Sequence, residues 1–85
     1  MINLNAKQAA EAAVGYFNEL FSGYGYSDIR LEEVEKMSEN WLITLGYLDK
    51  SQEGFSLGLS KRRYKIFAVR QSDGEITSVK IRPME

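Results

Sequence analysis

The sequence predicts one α+β domain over residues 1–85, with an N-terminal helix packed on a four-stranded antiparallel meander, and three observations carry that expectation. Apolar residues recur at helical spacing from Ala6 to about Phe21. Trp41 to Leu48 reads as a strand, with Trp41, Ile43, Leu45 and Tyr47 on one face and a second face that is also substantially apolar. Two further alternating runs, Tyr64–Arg70 and Glu75–Arg82, flank Asp73-Gly74, a dipeptide suited to a tight hairpin turn.

The helix has a marked start. Asn5 can cap it, Gln8 stands at the capping-box position, and Leu4 can staple against Ala9. Its apolar stripe is Ala10, Ala13, Val14, Phe17, Leu20 and Phe21. The small residues Ala9, Ala10, Ala12 and Ala13 allow a close approach to a sheet, and Phe17 and Phe21 fill the wider end. Gly23 and Gly25, interleaved with Tyr24 and Tyr26, then break the helix.

A first strand is expected over Ile29 to Met37. Ile29 and Leu31 alternate there but Val34 falls out of phase, which places a bulge at Glu32-Glu33. The second, Trp41 to Leu48, sets Trp41, Ile43, Leu45 and Tyr47 on one face and Leu42, Thr44, Gly46 and Leu48 on the other. Residues 49 to 61 are rich in Gly and Ser yet alternate Phe55, Leu57 and Leu59, which reads as a loop with some strand character.

For the hairpin, a two-residue turn at Asp73-Gly74 pairs Ala68 with Val79 and Ile66 with Ile81. The helix stripe is then expected on the face bearing Ile66, Ala68, Val79 and Ile81, with Ala68 admitting the helix. The opposite face carries Lys65, Phe67, Val69, Lys80 and Arg82, and is too apolar for a purely solvated surface.

The Ala-rich first helix, the Trp41-Leu-Ile-Thr-Leu-Gly-Tyr47 strand and the Tyr64-Lys-Ile-Phe-Ala-Val…Asp73-Gly-Glu-Ile76 hairpin resemble the cystatin-like and PepSY-like α+β folds of small bacterial proteins. The likeness is one of shape and covers nearly the whole chain. The Gln-x-Val-x-Gly tip by which cystatin inhibitors enter a protease cleft does not occur, so protease inhibition does not carry over.

Composition narrows the chemistry. A chain of 85 residues that is 44% hydrophobic supports a single modest core. It contains no Cys and no His, which removes disulfides, thiolate and imidazole chemistry and nearly every zinc or haem scheme. Neither a signal peptide nor a long apolar span is apparent, and the expected compartment is a cytoplasm, a bacterial one.

The net charge of −1 conceals an asymmetry, since residues 1–40 hold seven acids against three bases and residues 41–85 hold eight bases against five acids. Opposite strands neutralising each other within one sheet is the ordinary account, and a dipolar surface that orients a partner is the sharper one.

Candidate sites follow. Asp28, Glu32, Glu33 and Glu35 suggest a carboxylate pair or weak cation site, although adjacent acids on a regular strand point to opposite faces. Lys61-Arg-Arg-Tyr-Lys65 has the bases and aromatic of a nucleic-acid contact, but a strand splits them between faces and the near-neutral charge opposes tight binding. Trp41 and Tyr47 suit core packing better than a ligand pocket.

The expectation is therefore a small non-enzymatic protein-interaction or regulatory module that presents a β-sheet face to a protein partner or to a second copy as a homodimer. It has no cofactor, no metal, no nucleic acid and no membrane. The residues expected to bind the partner are Leu42, Leu48, Phe55, Leu57, Lys65, Phe67, Val69, Lys80 and Arg82. The alternative is a small-ligand binder or minimal enzyme using a cleft between helix and sheet.

Overall fold

The computed structural model describes residues 3–49 and 62–82. Helix α1 spans Ala6–Leu20, followed by strands β1 (Tyr26–Met37), β2 (Asn40–Asp49), β3 (Arg62–Arg70) and β4 (Ile76–Arg82). All neighbouring strands are antiparallel and the sheet order is β1-β2-β3-β4, the α+β meander that the patterning predicts.

The capping box forms in both directions. The Gln8 backbone N–H donates to Asn5 Oδ1 at 2.8 Å, and the Asn5 backbone N–H donates to Gln8 Oε1 at 2.9 Å. Past the helix, Gly23 and Gly25 sit at φ 86° and 81°, where a Cβ would be strained, and the chain turns into β1 at Tyr26, earlier than its apolar alternation suggests. Leu4 ties the chain start to the far end of the sheet. Its N–H donates to the Gln71 carbonyl at 2.8 Å, and its carbonyl accepts from the Trp41 indole at 3.0 Å.

Register decides which side chains share a face. On the helix side, cross-strand partners build the row Val34, Ile43, Phe67, Val79 and the row Leu31, Leu45, Lys65, Ile81. The core consists of Ala9, Ala13 and Phe17 from α1 with Ile43, Leu45 and Tyr47 from β2 and Phe67 and Val69 from β3. Phe17 lies at its centre, with ring centroids 5.3 Å from Tyr47, 5.8 Å from Tyr26 and 6.0 Å from Phe67. Burying a ring of that size contributes about 3 kcal/mol.

Two expectations are corrected here. Ala68 pairs with Ser78 and Ile66 with Lys80, not with Val79 and Ile81. The turn is longer than two residues: the Arg70 N–H donates to the Glu75 carbonyl at 2.8 Å and the Gly74 N–H to the Arg70 carbonyl at 2.8 Å. Asp73 Oδ1 accepts from the Glu75 N–H at 3.0 Å and from Arg70 Nε at 2.9 Å, which holds this wider loop. A register shift between Ala68 and Val69 then leaves Thr77 as an extra residue, and its hydroxyl donates to the Ala68 carbonyl at 3.3 Å.

The second correction concerns the faces of β3. Phe67 and Val69 are fully buried beneath the helix, whereas Ile66 and Ala68 lie on the side away from it. Because Ile43 is opposite Phe67 and Leu45 opposite Lys65, choosing the bulky Ile43/Leu45/Tyr47 face of β2 brings the odd-numbered residues of β3 with it. Val79 does face the helix, and the residues that admit close packing are Ala9 and Ala13 on α1 instead of Ala68 on the sheet.

Candidate functional site

The face away from the helix is built from the rows Ser27, Leu48, Arg62; Arg30, Gly46, Tyr64, Arg82; Glu33, Thr44, Ile66, Lys80; and Glu35, Leu42, Ala68, Ser78. Leu42, Leu48, Lys80 and Arg82 therefore share the sheet face away from the helix. Lys65, Phe67 and Val69 do not join them, because the register carries them under α1. Phe55 and Leu57 lie outside the described residues.

Ion pairs lie across part of this face. Arg62 donates to Asp28 Oδ2 at 2.9 Å and to the Asp28 carbonyl at 2.8 Å, and its Nε is 3.5 Å from Glu32 Oε2. Arg82 donates to Glu33 Oε1 at 2.8 Å. The acidic strand and the basic strands therefore neutralise each other on one sheet face, although β1 and β4 are not adjacent. The register shift between Leu31 and Glu33 also changes the expected geometry of the acids. Consecutive residues Glu32 and Glu33 both reach arginines on this face, which a regular strand would not allow.

Gly46 makes that arrangement possible. A Cβ built there would lie 2.5 Å from Glu32 Oε2 and 3.0 Å from Glu32 Cγ, so the absence of a side chain lets the Glu32 carboxylate lie against the sheet beside Arg62. Beyond the ionic end, Leu42 and Ile66 remain half-buried around the buried Thr44 and Ala68.

The helix side is incompletely covered, for a geometric reason. Four strands at about 4.8 Å spacing are wider than one helix of about 10 Å. On the β1 flank this leaves an open groove of about 680 Å³, with Ala10 and Val14 of the helix on one wall and Leu31 and Val34 of the strand on the other. Leu31 is 50% exposed and Val34 37%, while Lys7, Glu11 and Asn18 supply the polar rim. The sequence contained one signal for this groove. Leu31 and Val34, three apart, share a face only if a bulge lies between them.

On the opposite flank, Tyr16 rests edge-on against Phe67 at 6.4 Å, and Ile81 is 74% exposed. Lys65, in the same row as Ile81, carries its amine 4.9 Å from the Phe21 ring and 5.6 Å from the Tyr47 ring. Burial lowers its affinity for a proton; Arg63 adds to the effect and Asp49 opposes it. Tyr47 responds to the same surroundings, its phenol being pushed up to about 12 by burial and by its interaction with Tyr26.

Thr44 and Lys65 are the buried polar side chains among the described residues, and the Asp49 carboxylate, 12% exposed, lies 3.8 Å from Arg63 Nε. Among those residues no group of three or more acids is placed to hold a metal ion, and no helix is long and apolar enough to cross a membrane. The chain matches no family model, no curated protein and no solved structure.

Proposed function

We propose that this protein is a small non-enzymatic interaction module, cytoplasmic, that offers the uncovered part of its sheet to a protein partner, the partner here being a second copy of itself. The supporting observation is the groove between α1 and β1, where Leu31 and Val34 stay half-exposed beside Ala10 and Val14. Burying such side chains is favourable at about 25 cal/mol per Å², and contiguous exposed apolar surface on a small domain commonly serves contact. Lys7 and Glu11 line the same wall with opposite signs, so a two-fold axis set between them brings Lys7 of one copy to Glu11 of the other.

Sedimentation velocity at micromolar concentration tests this reading. The wild type is expected to dimerise, and Leu31→Glu is expected to weaken the dimer about tenfold or more while keeping the wild-type urea midpoint at concentrations where both proteins are monomeric. A wild type that remains monomeric across that range overturns self-association.

The same groove favours a second reading, in which it takes a small apolar ligand between helix and sheet. Its size fits such a molecule, and its charges stand at the rim. A fluorescent apolar dye that binds monomeric protein stoichiometrically, and is lost in Leu31→Glu, would favour this reading over the first.

A further inference from the structure

The geometry points to the outer edge of β4 as a docking site for an extended peptide in which acidic and apolar residues alternate. The site is distinct from the α1/β1 groove, and it stands whether or not the groove is an interface. Among the described residues β4 is the last strand of the sheet, and one side of its backbone has no neighbouring strand there. From Ser78 to Arg82 its pairing with β3 is regular, the register shift being confined to the turn end beyond Ala68. An unbulged stretch of that kind presents evenly spaced backbone donors and acceptors to an added strand.

The other edge differs. β1 carries register shifts between Ser27 and Arg30 and between Leu31 and Glu33, and Asp28 adopts φ 52°, so its outer side is irregular and blunted.

Side chains on β4 then define the occupant. A strand laid beside β4 extends each existing row by one residue. On the helix side it extends the rows ending in Val79 and Ile81, where Ile81 is 74% exposed and an apolar residue would cover it. On the far side it extends the rows ending in Lys80 and Arg82, where an acid is the favourable cross-strand neighbour. β4 has no acidic residue, and among the described residues Lys80 has no ion pair, although Arg82 is engaged by Glu33. The edge therefore discriminates by charge: a basic strand would meet Lys80 and Arg82 with like sign, and a second β4 would oppose itself.

The test uses the full chain, isotope-labelled, titrated with a short peptide alternating valine and glutamate and, separately, with one alternating valine and lysine. The valine–glutamate peptide is expected to shift and slow the exchange of alternate backbone amides between Ser78 and Arg82, with affinity that falls as salt is added. Lys80→Glu should weaken that binding about tenfold or more and reverse the preference toward the lysine peptide. Leu31→Glu, which spoils the groove, should leave it unchanged. Shifts confined to β1 or the groove, equal binding of both peptides, or no saturable response of β4 amides would each overturn the proposal. Open-ended self-assembly in which β1 of another copy occupies the edge would also overturn it.

Discussion

Glu33 of β1 and Arg82 of β4 meet at 2.8 Å although β2 and β3 lie between their strands. The contact crosses the face that holds Gly46 and Tyr64 in the row of Arg82, and Thr44 and Ile66 in the row of Glu33. The two outer strands of an open sheet are thus linked over a small, mostly apolar floor, and with the Asp28–Arg62–Glu32 group the pair accounts for how the charge asymmetry of the sequence is resolved.

Both members of that pair are about half-exposed, Arg82 at 46% and Glu33 at 55%, so solvent screens the interaction. Replacing Glu33 by Gln is expected to cost no more than about 1 kcal/mol, and less at high salt. Urea midpoints of wild type and variant at low and high ionic strength measure it; a loss of several kcal/mol that salt does not reduce would contradict this account.

The core predicts a sharper contrast. Phe17→Ala removes the ring around which Tyr26, Tyr47 and Phe67 are arranged and should cost about 3–5 kcal/mol. Phe67→Glu, which places a carboxylate at a fully buried position under the helix, should prevent folding, whereas Leu31→Glu on the exposed flank should fold normally. Circular dichroism with urea titration of the three variants separates these outcomes.

Gly46→Ala should destabilise by about 1–2 kcal/mol, because the new methyl meets the Glu32 side chain and pushes its carboxylate off Arg62. Adding Glu32→Ala should recover most of that loss, since it removes the atoms in the way. Non-additivity in the double-mutant cycle is the measurement, and purely additive effects would mean that backbone contacts at Gly46 matter more than Glu32.

Lys65 and Tyr47 give the fold opposing responses to alkali. Because the Lys65 amine is lowered by burial, the folded state releases that proton earlier than the unfolded chain does near 10.5, so this group makes stability rise with pH below that value. Tyr47 acts in the other direction. Its raised value means that its contribution, on the order of 2 kcal/mol, is fully present below about 10 and is lost as pH climbs through about 12. Ultraviolet titration should find a late-ionising phenol that is absent in Tyr47→Phe.

Lys65→Met should leave the midpoint at neutral pH unchanged or raise it, because it replaces a desolvated amine with an apolar side chain of similar length. The same substitution should abolish the alkaline gain assigned to Lys65. Thermal melts at neutral and alkaline pH check both parts, and a marked destabilisation at neutral pH would show that the contacts with Phe21 and Tyr47 outweigh the desolvation.

Local features of this protein were determined by the sequence itself, because their causes lie within a few residues. The helix start follows from the reciprocal hydrogen bonds of Asn5 and Gln8, and its end from glycines that tolerate positive φ. The bulge at Glu32 was legible in the phase of Leu31 and Val34, and β2 in the period-two grouping of Trp41, Ile43, Leu45 and Tyr47 opposite Leu42, Thr44, Gly46 and Leu48. Tertiary structure alone decided which side of β3 the helix covers. Both sides of that strand are apolar, so alternation marks two faces without ranking them, and a one-residue change of register exchanges them. The turn settled the register through the Arg70–Asp73–Glu75 contacts and the extra Thr77, a combination that a short-range reading of Asp73-Gly74 does not contain. The groove and the bare β4 edge are likewise tertiary: they exist because one helix is narrower than the four strands it crosses, and because the chain supplies no fifth strand among the described residues.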